Sequence, residues 1–224
     1  ARGYRVNVDT ILLSAAVETI DGARLMEAGC GVGAGLLALA VRNEKITLLG
    51  IERDQNIAAI ARENVAANAM TQRIEIVTGD VLERSANATT FDGIFFNPPF
   101  DEAGEGHAPA AHRAHAHVSE ASVDEWIAAL VNRLRGGAAL TLIHRARKLS
   151  EILSALDGRL GAVEILPIRP RAGAEASRVL VRGRKGSRAP LKLWKGLDLH
   201  DASGAKHTPE TEAILRGRAL ISWG

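Results

Sequence analysis

Glu27-Ala28-Gly29-Cys30-Gly31-Val32-Gly33-Ala34-Gly35 is the stretch that decides the fold. Arg24-Leu25-Met26-Glu27-Ala28 reads as a short buried strand, and Leu36, Leu37, Leu39 and Ala40 open a helix behind the turn. Strand, glycine-rich turn and helix in that order let a backbone without Cβ atoms approach a nucleotide-like ligand closely and take positive φ.

The pattern repeats outward from there. Thr47-Leu48-Leu49-Gly50-Ile51-Glu52 is a second strand, and the helix after it carries an apolar stripe through Ile57, Ile60, Ala61 and Val65, interrupted only by Asn64. Ile74 to Val77 is a third strand, ending at Gly79-Asp80. Phe91-Asp92-Gly93-Ile94-Phe95-Phe96 is a fourth and runs directly into Asn97-Pro98-Pro99-Phe100. Alternating strands and helices predict an α/β fold with a mostly parallel sheet. Residues 101–117 lack periodicity and read as a long loop, with a lid the expected role. Val123, Trp126, Ile127, Leu130, Val131 and Leu134 give a helical face that Gly136-Gly137 is expected to end. A fifth strand at Ala138–Ile143, a helix at Leu149–Leu156 and strands at Val163–Ile168 and Val179–Arg182 follow. The connection between these last two is too short for a helical crossover, so they should pair antiparallel. After Lys195 the pattern fades to a polar tail.

Carboxylates at the strand ends give the turn a chemical context. Glu52 stands where a carboxylate accepts from ribose hydroxyls. Asp80 is placed to accept from an adenine amino group, with the Val81 amide beside it; its competing role is a helix N-cap. Gly29-x-Gly31-x-x-Ala34 also satisfies the dinucleotide fingerprint, which makes an NAD-dependent oxidoreductase the alternative enzyme of another class. Glu27 argues against it: an acid at the tip of the first strand repels a pyrophosphate and suits a cofactor bearing a positively charged amino acid group.

The tetrapeptide Asn97-Pro98-Pro99-Phe100 falls at the carboxyl end of a central strand, where the ligand crevice of an open α/β sheet lies. An exocyclic amine on a base is conjugated to its ring and is a poor nucleophile. The Asn97 side-chain oxygen and the Pro98 carbonyl can each accept one of its N–H groups and draw it toward tetrahedral geometry. Pro98 and Pro99 stiffen the turn and remove competing donors. Phe100 offers a face for a flipped base.

These residues resemble the class I S-adenosylmethionine-dependent methyltransferases that carry an (Asn/Asp)-Pro-Pro-(Tyr/Phe) motif. Within that family the chain looks like the bacterial tRNA1(Val) adenine N6-methyltransferase group, through Gly3-Tyr4-Arg5, Val8-Asp9-Thr10-Ile11-Leu12-Leu13 and Arg178-Val179-Leu180-Val181 followed by a basic stretch. The resemblance implies a Rossmann-like, seven-stranded sheet with helices on both faces and the last strand antiparallel. It implies S-adenosylmethionine contacts at Glu27, Gly29, Gly31, Gly33, Glu52, Asp80 and Asn97, with Asp9 near the cofactor, and a target adenine in tRNA next to the anticodon. The adenine enzymes usually carry Tyr where this chain has Phe100. Guanine N2-methyltransferases of ribosomal RNA and a protein-glutamine N-methyltransferase are the alternatives, and the N-terminal segment 1–22 argues against both.

Composition sets the frame. A chain of 224 residues, 46% hydrophobic, is expected to form a single domain over 1–224. Cys30 is the one cysteine, excluding a disulfide framework and fitting the cytoplasm; it reads as a small buried residue of the turn. Neither a signal leader nor a membrane span is readable. The net charge of +2 hides an asymmetry: between Arg169 and Lys195 nine basic residues face only Glu175. Arg169, Arg171, Arg182, Arg184, Lys185 and Arg188 are the expected RNA phosphate contacts. His107, His112, His115 and His117 share one loop, but their spacing is not that of a zinc site and the transfer needs no Lewis acid, so no metal is expected.

Overall fold

The computed structural model describes residues 7–83, 89–98, 121–203 and 206–224. The sheet is built from β1 (Arg24–Ala28), β2 (Thr47–Glu52), β3 (Ile74–Thr78), β4 (Phe91–Phe96), β5 (Leu134–Arg145), β6 (Leu160–Arg171), β7 (Arg178–Lys185), β8 (Lys192–Leu193) and β9 (Leu197–His200). Its order is β3-β2-β1-β4-β5-β7-β6-β8, with β9 also on β6. All pairings are parallel except those of β7, which runs antiparallel to both β5 and β6. The seventh strand is thus the reversed one, as expected, and the short β8 and β9 extend the edge beyond seven.

Helices cover both faces. On one, α1 (Val8–Ala16), α2 (Ala34–Arg42), α3 (Gln55–Ala67) and α6 (Pro209–Leu215) bury Leu12, Leu36, Leu39, Ala61 and Ile214. On the other, α4 (Val123–Val131) and α5 (Leu149–Leu156) bury Trp126, Ile127, Leu130 and Ile152. Strand alternation feeds both layers: Leu25 joins the first and Met26 the second.

Two local expectations are corrected. Gly136-Gly137 does not cap α4, which ends at Val131; Leu134 already pairs with Phe91. The register then shifts by the next pair, Gly93 with Ala139, and Gly137 at φ 80° takes up the irregularity. The residues after Lys195 are not a plain tail. Leu197 on β9, Ile214 on α6 and Ile221 are buried, and the Trp223 indole N–H donates to the Ala16 carbonyl at 3.0 Å. Each element contributes only one or two apolar residues, too few to show a period.

Candidate active site

The site lies at the carboxyl ends of β1, β2 and β4, where Ala28, Ile51 and Phe96 are aligned across the sheet. Gly29, Glu52 and Asn97 each come one residue later, on three neighbouring strand ends. Asp80 follows Thr78, the residue paired with Glu52 on β3. The separate sequence signals therefore converge on one rim.

The glycine turn takes positive φ at Gly29 (70°), Gly31 (53°) and Gly33 (81°), conformations that L side chains rarely adopt. Gly29 and Cys30 donate backbone N–H groups to the Ile51 carbonyl at 2.8 and 3.0 Å. The Glu52 carboxylate accepts from the Gly31 amide at 2.9 Å and the Asp54 amide at 3.0 Å, so it fixes the turn as well as facing the crevice. Asn64, the break in the apolar stripe, donates its side-chain amide to the Val32 carbonyl at 3.0 Å. That function was signalled by a polar residue on an otherwise apolar face, and sequence reasoning passed over it. Burial, with Glu27 and Glu52 nearby, pushes the Cys30 thiol well up, so it stays protonated and inert.

Glu27 is buried with one oxygen, Oε2, lacking a hydrogen-bond partner among the described residues. A Cβ on Gly35 would fall 2.5 Å from its Oε1, so the first turn of α2 closes on this carboxylate only because Gly35 has none. Burial pushes the Glu27 carboxyl up to about 8; the Leu36 backbone N–H opposes the shift and Glu52 adds to it. A buried acid with an open acceptor fits an ammonium group. The sign for stability follows from linkage: between about pH 4.5 and pH 8 the folded ligand-free protein holds a proton that the unfolded chain has released. This contribution is complete below the lower value and is lost as pH rises through the upper. The wild type should lose melting temperature relative to Glu27→Gln between pH 5 and pH 8; a difference constant across that window would refute the assignment.

At the end of β4, the Asn97 Oδ1 is buried and has no partner among the described residues, while Pro98 is itself buried. Phe96 behind them stacks on Trp126, ring centroids 5.6 Å apart and 6° from parallel, and the same indole lies against Gly29, where a Cβ would meet it at 3.2 Å. Trp126 thus braces the glycine turn and the Asn97 strand end together. Pro99, Phe100 and the 101–117 loop with its four histidines lie outside the described residues. Asp80 accepts from the Leu82 amide at 2.9 Å in a turn, and Val81 is buried. Asp9 is buried in the first turn of α1 and pairs with Arg178 at 3.0 Å.

The basic stretch is divided by the fold. Arg182 is a correction: it is buried, its Nε bonded to Glu164 at 2.8 Å and one Nη to Glu18 at 2.6 Å, with Trp223 over its guanidinium. Its Nε and both Nη groups donate to carboxylates already. Arg184 is half-buried and tied to Glu18, and Lys185 donates to the Val131 and Leu134 carbonyls. Arg171 and Arg188 are exposed, and Arg169 pairs with Asp198. A cavity of about 400 Å³ opens at the opposite end of the sheet, beside Glu18, Asp92, Arg135 and Arg184. Its ionic groups are engaged, Glu18 with Arg184, Asp92 with Arg135 and Asp21 with Lys45, and it holds none of the strand-end residues above.

A nucleotide-approaching turn, a ring of carboxylates and an open amide oxygen on adjacent strand ends define a group-transfer site of the methyltransferase type, and comparison with known proteins agrees. The methyltransferase small domain model matches residues 4–166, and the chain belongs to that family. A tRNA1(Val) (adenine(37)-N6)-methyltransferase of Aeromonas hydrophila is 31% identical over 184 residues, covering 81% of this chain and 77% of its own. Its namesake from Porphyromonas gingivalis is 32% identical over 218 residues, covering 92% and 85%. Among solved structures, an Agrobacterium tumefaciens protein described as a predicted O-methyltransferase superposes with TM-score 0.80 at 30% identity, over 95% of this chain and 98% of that one. This membership sets aside the oxidoreductase alternative. Among the described residues, no helix is long and apolar enough to cross a membrane.

Proposed function

We propose that this methyltransferase transfers the methyl group of S-adenosylmethionine to the N6 amine of an adenine in tRNA, next to the anticodon. The observation that carries the reading is the buried Asn97 Oδ1 at the strand end, an acceptor without a partner among the described residues. The names of the relatives supply the base and the RNA.

Glu27 takes the ammonium of the cofactor's amino acid part, Glu52 the ribose hydroxyls, and Asp80 with the Val81 amide the adenine edge. Gly29, Gly31 and Gly33 leave room for the approach, and Asp9 closes the rim. When bound, the cofactor supplies a methyl group on a sulfonium, already electrophilic. The chain's own residues handle the amine: Asn97 Oδ1 accepts one N–H and the Pro98 carbonyl the other, which turns the lone pair out of conjugation and stabilises the positive charge that develops on nitrogen. From the motif alone, Pro99 is assigned to stiffening it and Phe100 to offering a face to the base. The proton leaves to solvent after transfer, so no general base is required in the motif.

Mass spectrometry of nucleosides from tRNA incubated with the protein and labelled cofactor tests this directly. N6-methyladenosine is the expected product. N2-methylguanosine would move the target to guanine, an O-methylated nucleoside would reject the amine chemistry, and label in protein glutamine alone would reject RNA.

A further inference from the structure

Because β7 runs backwards, basic residues that are neighbours in sequence end up at opposite ends of the sheet. Arg178 begins β7 at the rim that holds Asn97, whereas Lys185 ends it about 23 Å away at roughly 3.3 Å per residue. The register then builds a row that the sequence does not display. Arg145, the last residue of β5, lies opposite Arg178; Ile168 on β6 lies opposite Arg178 on its other side and is followed by Arg169 and Arg171. Arg147 sits in the 3-10 turn Ala146–Lys148 directly after β5. Five arginines thus occupy the rim formed by the carboxyl ends of β5 and β6 and the amino end of β7, beginning one strand away from Asn97 and stepping outward by about 5 Å per strand.

Their surroundings differ from those of the opposite rim. Asp9 holds Arg178, Asp198 holds Arg169 and Glu151 holds the neighbouring Lys148, at 3.0, 2.6 and 2.8 Å. These pairs set the row on rigid strands. Arg147 and Arg171 are exposed and Arg145 is half-buried, with Glu175 and Asp201 as acids on the same rim. β5 also projects beyond β4: Phe96 is level with Leu142, so Arg145 stands two residues further out than Asn97. A base seated at Asn97 therefore has this row beside it, one strand away, within reach of the nucleotides attached to that base. Guanidinium groups present paired donors matched to phosphate oxygens.

Resting on the reading of RNA as substrate, we infer that the strand carrying the target base runs over the carboxyl ends of β5 and β6 and the amino end of β7 between them, its phosphates held by Arg145, Arg147 and Arg171. The basic residues at the far end of β7 lie too far from Asn97 to hold the nucleotides flanking that base.

The test compares Arg147→Ala/Arg171→Ala with Arg188→Ala/Lys192→Ala, on a short stem-loop RNA carrying the target adenine. For the first pair, KM for RNA should rise about tenfold, and the log-log salt slope of binding should flatten by roughly 1.4, at about 0.7 per single-strand phosphate contact. Its kcat at saturating RNA and its affinity for S-adenosylhomocysteine should match wild type. The second pair should behave as wild type throughout. An unchanged KM and salt slope in the first pair, or the losses falling on the second, would overturn the path while leaving RNA methylation standing. A wild type that neither binds nor methylates the stem-loop would overturn the substrate reading itself, and the path with it.

Discussion

Replacing Arg182 by alanine is expected to lower the stability of the fold by about 3–5 kcal/mol, the scale for breaking a buried ion pair from one side. The side chain is 5% exposed and bridges Glu164, 12% exposed, to Glu18 on the segment after α1. Without it the Glu164 carboxylate stays in the interior with the Trp194 indole N–H, at 3.2 Å, as its remaining side-chain donor among the described residues. The loss also uncovers the Trp223 ring and so loosens the C-terminal segment that holds α1. Urea titration should show a lower midpoint at an unchanged m-value. The double change Arg182→Met/Glu164→Gln removes both charges and keeps an acceptor for Trp194, so much of the loss should return. An Arg182→Ala protein as stable as wild type, with a flattened salt dependence of RNA binding, would make Arg182 a phosphate ligand and refute the buried assignment.

The same residue shows where reading from sequence stops. Strand-turn-helix order, and carboxylates placed at strand ends, are local facts, and they brought Glu27, Glu52, Asp80 and Asn97 to one rim as expected. Charge clustering along the chain is also local, but its meaning depends on strand direction and on partners far away in sequence. Glu18 and Glu164 neutralise Arg182 from positions no window around it contains. Arg145 and Arg147 were absent from the expected basic surface because they belong to another strand and join it only through register. Gly136-Gly137 failed for a related reason: glycine marks both helix ends and strand irregularities, and only the pairing of Leu134 with Phe91 separates them.

Asn97→Ala should cost at least about 10²-fold in turnover, by analogy with removing one preorganised polar group from an oxyanion hole. Its Oδ1 is buried and without a partner among the described residues, and a buried acceptor left unpaired carries its desolvation cost at rest. That penalty is offset only when an N–H donor arrives, and the bond strengthens as the amine nitrogen becomes positive. The effect should therefore fall on kcat at saturating RNA, with the dissociation constant for RNA little changed. Removing an unpartnered acceptor should also leave the melting temperature at or slightly above wild type, which separates a catalytic loss from a structural one. Asn97→Asp keeps an acceptor at the same place and should retain partial activity. If Asn97→Ala, folded and binding S-adenosylhomocysteine normally, methylates tRNA at the wild-type rate, the open oxygen at the end of β4 has no part in the reaction.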